Sequence, residues 1–365
     1  MNDKAYQPGL HRVALLTAAA TFPLIFMGGL VTSHQAGMSV PDWPNSYGYN
    51  MFLFPPSQWV GGIFYEHTHR LMGTVVGLLS IVLAAWAWRT EPRRWVRWLA
   101  VGVLAAVIFQ GVLGGLRVVL VELDLAVVHA CFAQAFFCLT ALMVAVTSKW
   151  WRDASSVHHS SLITRHSTSC PCSDRTVRLA LIAVATIYFQ LVAGAVMRHY
   201  QAGLAIPDLP LAYGELLPPT DAAGLESINQ WRSWHPEMNL DRVSLSQVWV
   251  HFAHRVGAVL VTLAVAALVI HILRRRNEPL LVRPAILLIA LLLTQLTLGV
   301  LTVLWQKPAD LATLHVAVGA LTLVTTFTIA VRAMRLTSAL QMTRNPIESN
   351  QPMDESFALE SAATA

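Results

Sequence analysis

Apolar side chains run along this chain in eight stretches that contain no Asp, Glu, Lys or Arg, and polar residues gather between the stretches. A helix needs about 20 apolar residues to cross the hydrocarbon core of a bilayer, so each stretch, extended where needed by a flanking turn, predicts a transmembrane helix. The pattern therefore predicts an all-α integral membrane protein. The stretches are 13–33, 71–88, 98–116, 125–148, 179–197, 256–273, 285–306 and 311–331.

The composition supports this prediction. Charged residues make up 12% of the 365-residue chain and apolar residues 55%, whereas about a quarter of the residues of a soluble domain is charged. So few charges would not cover the water-facing surface of a soluble protein of this length. Ordinary levels of Gly and Pro and only four Cys exclude a disordered, collagen-like or disulfide-stapled chain. The net charge of +5 does not indicate nucleic acid, because the basic residues lie between the apolar stretches.

Basic residues predict the orientation of the helices. Of the 25 Lys and Arg, eighteen fall on one side of the predicted membrane and seven on the other. Because cytoplasmic loops are enriched in Lys and Arg, we expect a multi-pass protein of the plasma membrane with both termini in the cytoplasm. The eighteen are Lys4, Arg12, Arg89, Arg93, Arg94, Arg97, Lys149, Arg152, Arg165, Arg175, Arg178, Arg274, Arg275, Arg276, Arg283, Arg332, Arg335 and Arg344.

Polar segments divide the chain into two membrane halves. We expect an N-terminal four-helix bundle over 1–148, a cytoplasmic linker over 149–178 and a C-terminal bundle over 179–335. A disordered cytoplasmic tail is expected over 336–365. The outer segment 34–66 mixes aromatic residues with Pro and Gly, so we expect it to lie on the membrane surface and roof a site below it.

The two outer segments contain an internal repeat. The sequence HQAGMSVPDWP at 34–44 is echoed by YQAGLAIPDLP at 200–210, an offset of 166. His69 recurs as His254 at an offset of 185, and His129 recurs as His315 at nearly the same offset. Each half has four predicted spans, an even number, so both halves have the same orientation. We therefore predict two parallel-repeat four-helix bundles related by a pseudo-twofold axis along the membrane normal.

The four repeated histidines fall at similar depths near the outer face. His69 and His254 each precede a charge-free stretch by two residues, and His129 and His315 are each the fifth residue of theirs. These positions differ by only about 6 to 9 Å along a helix. Two imidazoles on facing helices can bind a planar macrocycle through its iron. The pattern favours heme ligation over four unrelated polar residues, and over a Zn or Cu site, which would need three or four ligands at one point.

Charged residues accompany the first histidine of each half. Arg70 and Arg255 directly follow His69 and His254, where a guanidinium can neutralise the propionates of a heme. The alternatives are contact with lipid headgroups and, for Arg70, a place at the interface between the halves.

The halves differ three residues before that histidine, where the first half has Glu66 and the second has His251. Residues i and i+3 share a helix face, so Glu66 would lie on the porphyrin side of His69. A carboxylate there can act as a base or stabilise a developing cation, and His251 cannot supply that charge. The first half is therefore predicted to be catalytic. The alternative is that Glu66 only complements the dipole at the start of its helix.

At these residues the chain resembles the heme A synthase family, whose members oxidise a methyl group of heme O to a formyl group. The most specific motif is Glu66-x-x-His69-Arg70, and the resemblance covers about residues 13–335. It implies that His254 and His315 bind heme B as a cofactor and that His69 and His129 handle the substrate heme. It also implies that Glu66 is catalytic, in an oxidation whose oxygen comes from water.

The resemblance has further implications and one departure. It implies a role in heme A biosynthesis and cytochrome oxidase assembly, with heme O synthase and an unidentified electron acceptor as partners beside the membrane lipids. It leaves a homo-oligomer open, and we expect no nucleic-acid partner. The departure is that neither outer segment contains the cysteine pair found in some members.

Two other function classes fit the pattern less well than the enzyme. A b-type cytochrome with two bis-histidine hemes would place them on opposite sides of the membrane, whereas all four histidines here lie near one face. A parallel-repeat transporter would have a polar site at the midplane and broken helices. Cys131 and Cys138 lie in an apolar span and are expected to be small apolar residues. Cys170 and Cys172 lie in the cytoplasmic linker, where a disulfide would not persist; transient metal binding is the alternative, and the sequence leaves their role open.

Overall fold

The computed structural model describes residues 6–153, 174–275 and 278–344, with side chains up to residue 338. Eight long helices account for most of these residues. A shorter helix, α6, lies in the second outer segment. The helices are α1 (Pro8–Ser33), α2 (Gly62–Thr90), α3 (Arg94–Leu120), α4 (Leu123–Thr147), α5 (Asp174–His199), α6 (Ala222–Ser233), α7 (Leu245–Arg275), α8 (Pro279–Leu304) and α9 (Ala309–Arg344).

All eight predicted spans are confirmed as helices long and apolar enough to cross a membrane. The chain is therefore an all-α, multi-pass membrane protein. Two spans were predicted too short at their outer ends, because α2 begins at Gly62 rather than at residue 71 and α7 at Leu245 rather than at 256. Charges ended the predicted stretches there. In the structure, Glu66 and Arg70 pair with each other one turn apart, so the helix continues through them.

The helices pack in two groups of four with a shared junction. Within the first group α1 packs against α2 and α4, and α3 packs against α2 and α4; within the second, α5 packs against α7 and α9, and α8 against α7 and α9. The junction brings α1 and α4 against α9, and α4 against α5. Arg198 on α5 donates hydrogen bonds across it to the Gly29 carbonyl and the Ser33 hydroxyl on α1. The pseudo-twofold relation of the two groups stays a prediction.

Each group has its own apolar core. Val76, Leu83 and Met143 are fully buried in the first, and Leu268 and Leu288 in the second. Other large apolar side chains point outward, as expected of helices whose surroundings are lipid.

The predicted linker and tail are partly helical. Residues 149–153 are helical, α5 begins at Asp174, and α9 continues to Arg344. The prediction of a disordered tail from residue 336 was therefore wrong for 336–344, because these residues continue α9. Cys170 and Cys172 lie outside the described residues, and Cys131 and Cys138 are half-buried free thiols on α4.

The outer segments 34–61 and 200–244 contain the same tight turn. In the first, both Asp42 carboxylate oxygens accept backbone hydrogen bonds, from Tyr47 at 2.7 Å and from Gly48 at 2.8 Å. Tyr47 and Gly48 both have positive φ, 52° and 78°, a combination typical of a type I′ turn. Burial raises the pKa of Asp42, but these backbone donors and Arg70 outweigh it and hold the pKa below its usual value.

The second outer segment repeats this turn and adds α6. Asp208 accepts from the backbone of Tyr213 at 2.8 Å and of Gly214 at 3.0 Å. The added helix is attached to the turn through Arg232, a buried side chain that donates to the Tyr213 hydroxyl at 2.8 Å and to the Leu204 carbonyl at 3.0 Å. The additional residues of the second segment therefore fold against the repeated turn.

Candidate functional site

His69 and His129 face each other between α2 and α4. His69 is the eighth residue of α2 and His129 the seventh of α4, so both lie within about two turns of the start of their helices. Their ring centroids are 6.4 Å apart and their planes are inclined by 79°. Two metal–imidazole bonds of about 2 Å each, with the half-width of each ring, span about 6 Å. The spacing therefore suits one metal ion held between the two imidazoles.

His254 and His315 form the corresponding pair on α7 and α9. They are the tenth and seventh residues of their helices and are close enough to interact electrostatically. Glutamine amides from neighbouring helices contact both rings. Gln190 Nε2 lies 3.2 Å from Nδ1 of His254, and Gln295 Nε2 lies 3.3 Å from Nε2 of His315.

A glycine lies opposite each of the four imidazoles. A Cβ atom added to the glycine would come within 3.0 to 3.1 Å of the imidazole Cε1 in every case. The ring therefore packs directly against helix backbone, and any side chain in place of the glycine would require the ring to shift by a few tenths of an ångström. The pairs are Gly28 with His69, Gly114 with His129, Gly194 with His254 and Gly299 with His315.

Glu66 and Arg70 fasten the first outer segment to α2. Glu66 is 3% exposed; its Oε2 accepts from the Val40 backbone N–H at 2.8 Å and its Oε1 from Arg70 at 2.9 Å. Arg70 also donates to three backbone carbonyls, those of Val40, Asp42 and Asn45, at 2.6 to 2.9 Å. Glu66 shares the helix of His69, as predicted, and it also has a mechanical task that the sequence did not reveal.

His251 and Arg255 fasten the second outer segment in the same way. The Ile206 backbone N–H donates to His251 Nδ1 at 3.2 Å, and Arg255 donates to the carbonyls of Ile206 and Leu211 at 2.8 and 2.9 Å. The guanidinium groups of Arg70 and Arg255 are therefore engaged with loop backbone. This geometry leaves fewer donors for heme propionates than the sequence led us to expect.

A basic residue that the sequence did not single out, Arg117, lies beside the first imidazole pair. It lies on α3 three residues after Gly114, interacts electrostatically with His69 and His129, and donates to the Gly37 carbonyl at 2.8 Å. Arg117 is one of the seven Lys and Arg residues that do not lie on the predicted cytoplasmic side. This placement was the signal in the sequence that could have identified it.

Arg117 lines a cavity of about 670 Å³ at the outer end of the junction between the halves. Val31 and Ala126 contribute apolar wall, and Lys307 reaches it from the loop between α8 and α9. A cavity of this size falls in the range of small-molecule sites. It lies near the first pair, because Ala126 on its wall is one turn before His129 on α4, although neither imidazole lines it.

The donor set fits heme better than a bare metal ion. Among residues 6–153, 174–275 and 278–344, no three His, Cys, Asp or Glu side chains converge on one point. Zn and Cu sites usually draw three or four protein ligands. Two opposed imidazoles per site instead match iron whose four other ligands come from a porphyrin.

Fold and site together define the class, a polytopic helical membrane protein with paired imidazoles at its outer end. A model of the COX15-CtaA family, described as cytochrome oxidase assembly protein, matches residues 11–327. The chain belongs to this family.

Curated relatives carry the name heme A synthase. The chain is 26% identical over 326 residues to the heme A synthase of Ehrlichia ruminantium (strain Gardel), covering 80% of this chain and 84% of the relative. It is 25% identical over 315 residues to that of Geobacillus kaustophilus, with coverage of 85% and 86%. With that of Halalkalibacterium halodurans the identity is 27% over 303 residues, with coverage of 82% and 89%.

Proposed function

We propose that this protein is a heme A synthase, which oxidises a methyl group of heme O to a formyl group for heme A biosynthesis. The observation that carries the proposal is the His69–His129 pair, spaced for one iron, with Glu66 one turn earlier on the same helix as His69. Family membership supports it independently. The description of the family supports a role of the product in cytochrome oxidase assembly.

The reaction takes its oxygen from water. One methyl group and one water yield a formyl group, four protons and four electrons, and the electrons pass to an oxidant outside the chain. His69 and His129 hold the substrate iron and fix the plane of the ring. Glu66, buried beside His69, stabilises positive charge that develops at the methyl carbon and takes up a proton.

In the second half, His254 and His315 would hold heme B. Heme B would supply a one-electron relay between the substrate and the external oxidant. The four glycines opposite the imidazoles support ligation in both halves, because they bring each ring close to helix backbone. Arg70 and Arg255 support both sites by holding the outer segments in place. We assign them contact with heme propionates only through the guanidinium N–H groups that do not donate to loop carbonyls.

The test is a comparison of pigments. Hemes extracted from cells with and without this gene should differ by the formyl-bearing product, identified by its mass. Labelled water should deliver its oxygen to that product. Cells that accumulate only the methyl-bearing heme whether or not the gene is present would overturn the proposal.

We further propose that the protein lies in the plasma membrane with both termini in the cytoplasm. The asymmetry of eighteen basic residues against seven supports this orientation. A reporter fused after Arg94 should be active only in the cytoplasm, and one inserted within 215–245 only outside. Finding 215–245 in the cytoplasm would reverse the orientation.

A further inference from the structure

Two features of the outer end go beyond the ligand pairs. The first is the cavity at the junction, whose position relative to His129 is set by α3. Gly114 contacts the imidazole of His129, and Arg117 lies three residues further toward the outer end on the same face of the helix. A porphyrin held by His69 and His129 would therefore have Arg117 beside its outward edge.

The walls of the cavity suit an amphipathic anion. Apolar side chains of both halves contribute to its lining, and its charged side chains are mostly basic: Arg117, Arg232, Arg242 and Lys307 against Glu122 and Asp241. Arg70, the residue adjacent to His69, has its guanidinium bound to three loop carbonyls and to Glu66. Arg117 donates to the Gly37 carbonyl and also interacts electrostatically with Glu66.

We propose that the junction cavity binds the carboxylates of the substrate porphyrin, with Arg117 as the principal cation and Lys307 as the second. This inference rests on the proposed function and assigns its substrate-binding residues. It also explains why the cavity is shared by both halves, since the substrate edge then lies at the junction that electrons must cross.

The test measures binding of protoporphyrin IX and of its dimethyl ester to the purified protein by fluorescence. Arg117→Gln should weaken binding of the diacid by about tenfold, the loss expected for one hydrogen bond to a charged group. Binding of the ester should not change. Arg94→Gln, an exposed arginine at the other end of α3, is the matched control and should alter neither.

Equal weakening of diacid and ester would mean that Arg117 only supports the Gly37 loop, and it would overturn the proposal. Unchanged diacid binding would overturn it too. A protein that binds the diacid through Arg117 and yet makes no formyl heme would instead contradict the proposed function.

The second feature is the residue one turn before each glycine that faces an imidazole. Gln110, Gln190 and Gln295 precede Gly114, Gly194 and Gly299 by four residues, whereas Leu24 precedes Gly28. Gln110 Nε2 donates to the backbone carbonyl of His129, and Gln190 Nε2 to that of His254, both at 2.8 Å. His69 is thus the one imidazole of the four whose glycine lacks this glutamine.

The exception is specific to one half. Gly28 and Gly194 are related by the offset of 166, and Gly114 and Gly299 by the offset of 185, so the four positions correspond under the repeat. Groups that orient a metal-binding histidine from behind raise metal affinity by about 10- to 100-fold. At His69 the residue in this place contributes only its backbone, through a hydrogen bond with the imidazole, and no side-chain amide.

We infer that the glutamine before each glycine is a positioning residue, and that Leu24 makes His69 the weakly held ligand of an exchangeable site. Substrate must leave after each turnover, whereas a cofactor stays. This inference also rests on the assignment of the halves.

The purified protein is loaded with hemin, and the transfer of hemin to apomyoglobin is measured. Loss from the first pair is measured in a His254→Ala variant and loss from the second pair in a His69→Ala variant, in each case by the low-spin absorption of the bound hemin. Gln190→Leu, or Gln190→Met as a second variant, should speed hemin loss from the second pair by about tenfold or more. Leu24→Gln should slow loss from the first pair.

Two glycines on α3 supply a control. Gly114→Ala should weaken the low-spin spectrum of the first pair, because its Cβ would lie 3.0 Å from the ring of His129 and displace it, whereas Gly111→Ala meets nothing within 4 Å and should leave the spectrum unchanged. Unaltered transfer rates in the Gln190 and Leu24 variants would overturn the inference. Failure of the unmodified protein to bind hemin through imidazoles would overturn the proposed function with it.

Discussion

A carboxylate in the first half and an imidazole in the second accept the same backbone hydrogen bond. Val40 donates to Glu66, and Ile206, its counterpart in the repeat, donates to His251. In both halves an arginine one turn later on the helix binds the carbonyl of the same loop residue. Fastening the outer segment therefore does not require a carboxylate.

What distinguishes the two positions is charge. Glu66 brings a negative charge to within one turn of a paired histidine, in a place where a neutral side chain performs the mechanical task equally well. Burying a carboxylate carries a cost that Arg70 only partly offsets. The charge of Glu66 is therefore best explained by a role in the reaction. Four experiments test this interpretation.

The largest effect is expected from the imidazoles themselves. His254→Ala or His315→Ala should strip the purified protein of most of its heme B, measured by pigment extraction and by loss of the low-spin spectrum. His69→Ala or His129→Ala should leave that heme largely in place and abolish conversion of heme O.

The reverse pattern would mean that the halves are assigned backwards. Equal loss of heme from all four variants would favour a two-heme electron carrier over an enzyme.

The next largest effect concerns the charge directly. Glu66→Gln keeps an oxygen for the Val40 N–H but removes the carboxylate, so formation of formyl heme should fall by about 10²- to 10³-fold. Heme content should stay unchanged. His251→Gln is the matched control at the corresponding position and should reduce product formation only slightly. Comparable turnover in Glu66→Gln and the unmodified protein would reduce Glu66 to its mechanical role.

The arginines should differ in their effect on stability. Arg70→Gln leaves Glu66 buried without its ion pair, whose side chains are 10% and 5% exposed, and should lower the free energy of unfolding by about 3–5 kcal/mol. Arg255→Gln leaves no buried carboxylate and should cost only about 1–3 kcal/mol. Denaturant unfolding in detergent micelles would measure both. Equal losses would show that the Glu66–Arg70 ion pair adds no stability beyond that of the hydrogen bonds from the arginine to the loop carbonyls.

The smallest effect is expected at the surface of the second outer segment. Arg242 and Glu226 form an ion pair there at 2.7 Å, with side chains 67% and 52% exposed. Arg242→Gln should change the free energy of unfolding by less than about 1 kcal/mol in the same assay. A loss as large as that of Arg70→Gln would mean that α6 is held mainly by this pair rather than by the buried Arg232.

Much of the fold could be predicted from the sequence, because a bilayer requires long apolar helices and charge-free stretches reveal them. The start of α2 could not, since Glu66 and Arg70 neutralise each other only once the helix exists. The start of α7 could not either, because Arg255 ended the charge-free stretch and finds its partners in loop carbonyls distant in sequence. The histidines were found because the repeat displays them twice. The same offsets also relate Gly28 to Gly194 and Gly114 to Gly299, so the repeat contained that signal as well.

Other parts of the site depend on contacts between elements distant in sequence. The cavity around Arg117 has walls from both halves, and no local pattern records which loops meet there. The bond between Val40 and Glu66 likewise depends on how the loop returns to α2. Such features follow from packing rather than from periodicity.

The glycines opposite the histidines have a consequence for how the protein is made. Every histidine of the four sits on a membrane helix whose glycine partner lies on the membrane helix just before it in the chain: α1 with α2, α3 with α4, α5 with α7, and α8 with α9. Each pair of consecutive membrane helices thus contains both an imidazole and the backbone against which that imidazole packs. The direction of each ring is therefore set by contacts within one helical hairpin, whereas each histidine pair needs two hairpins to meet.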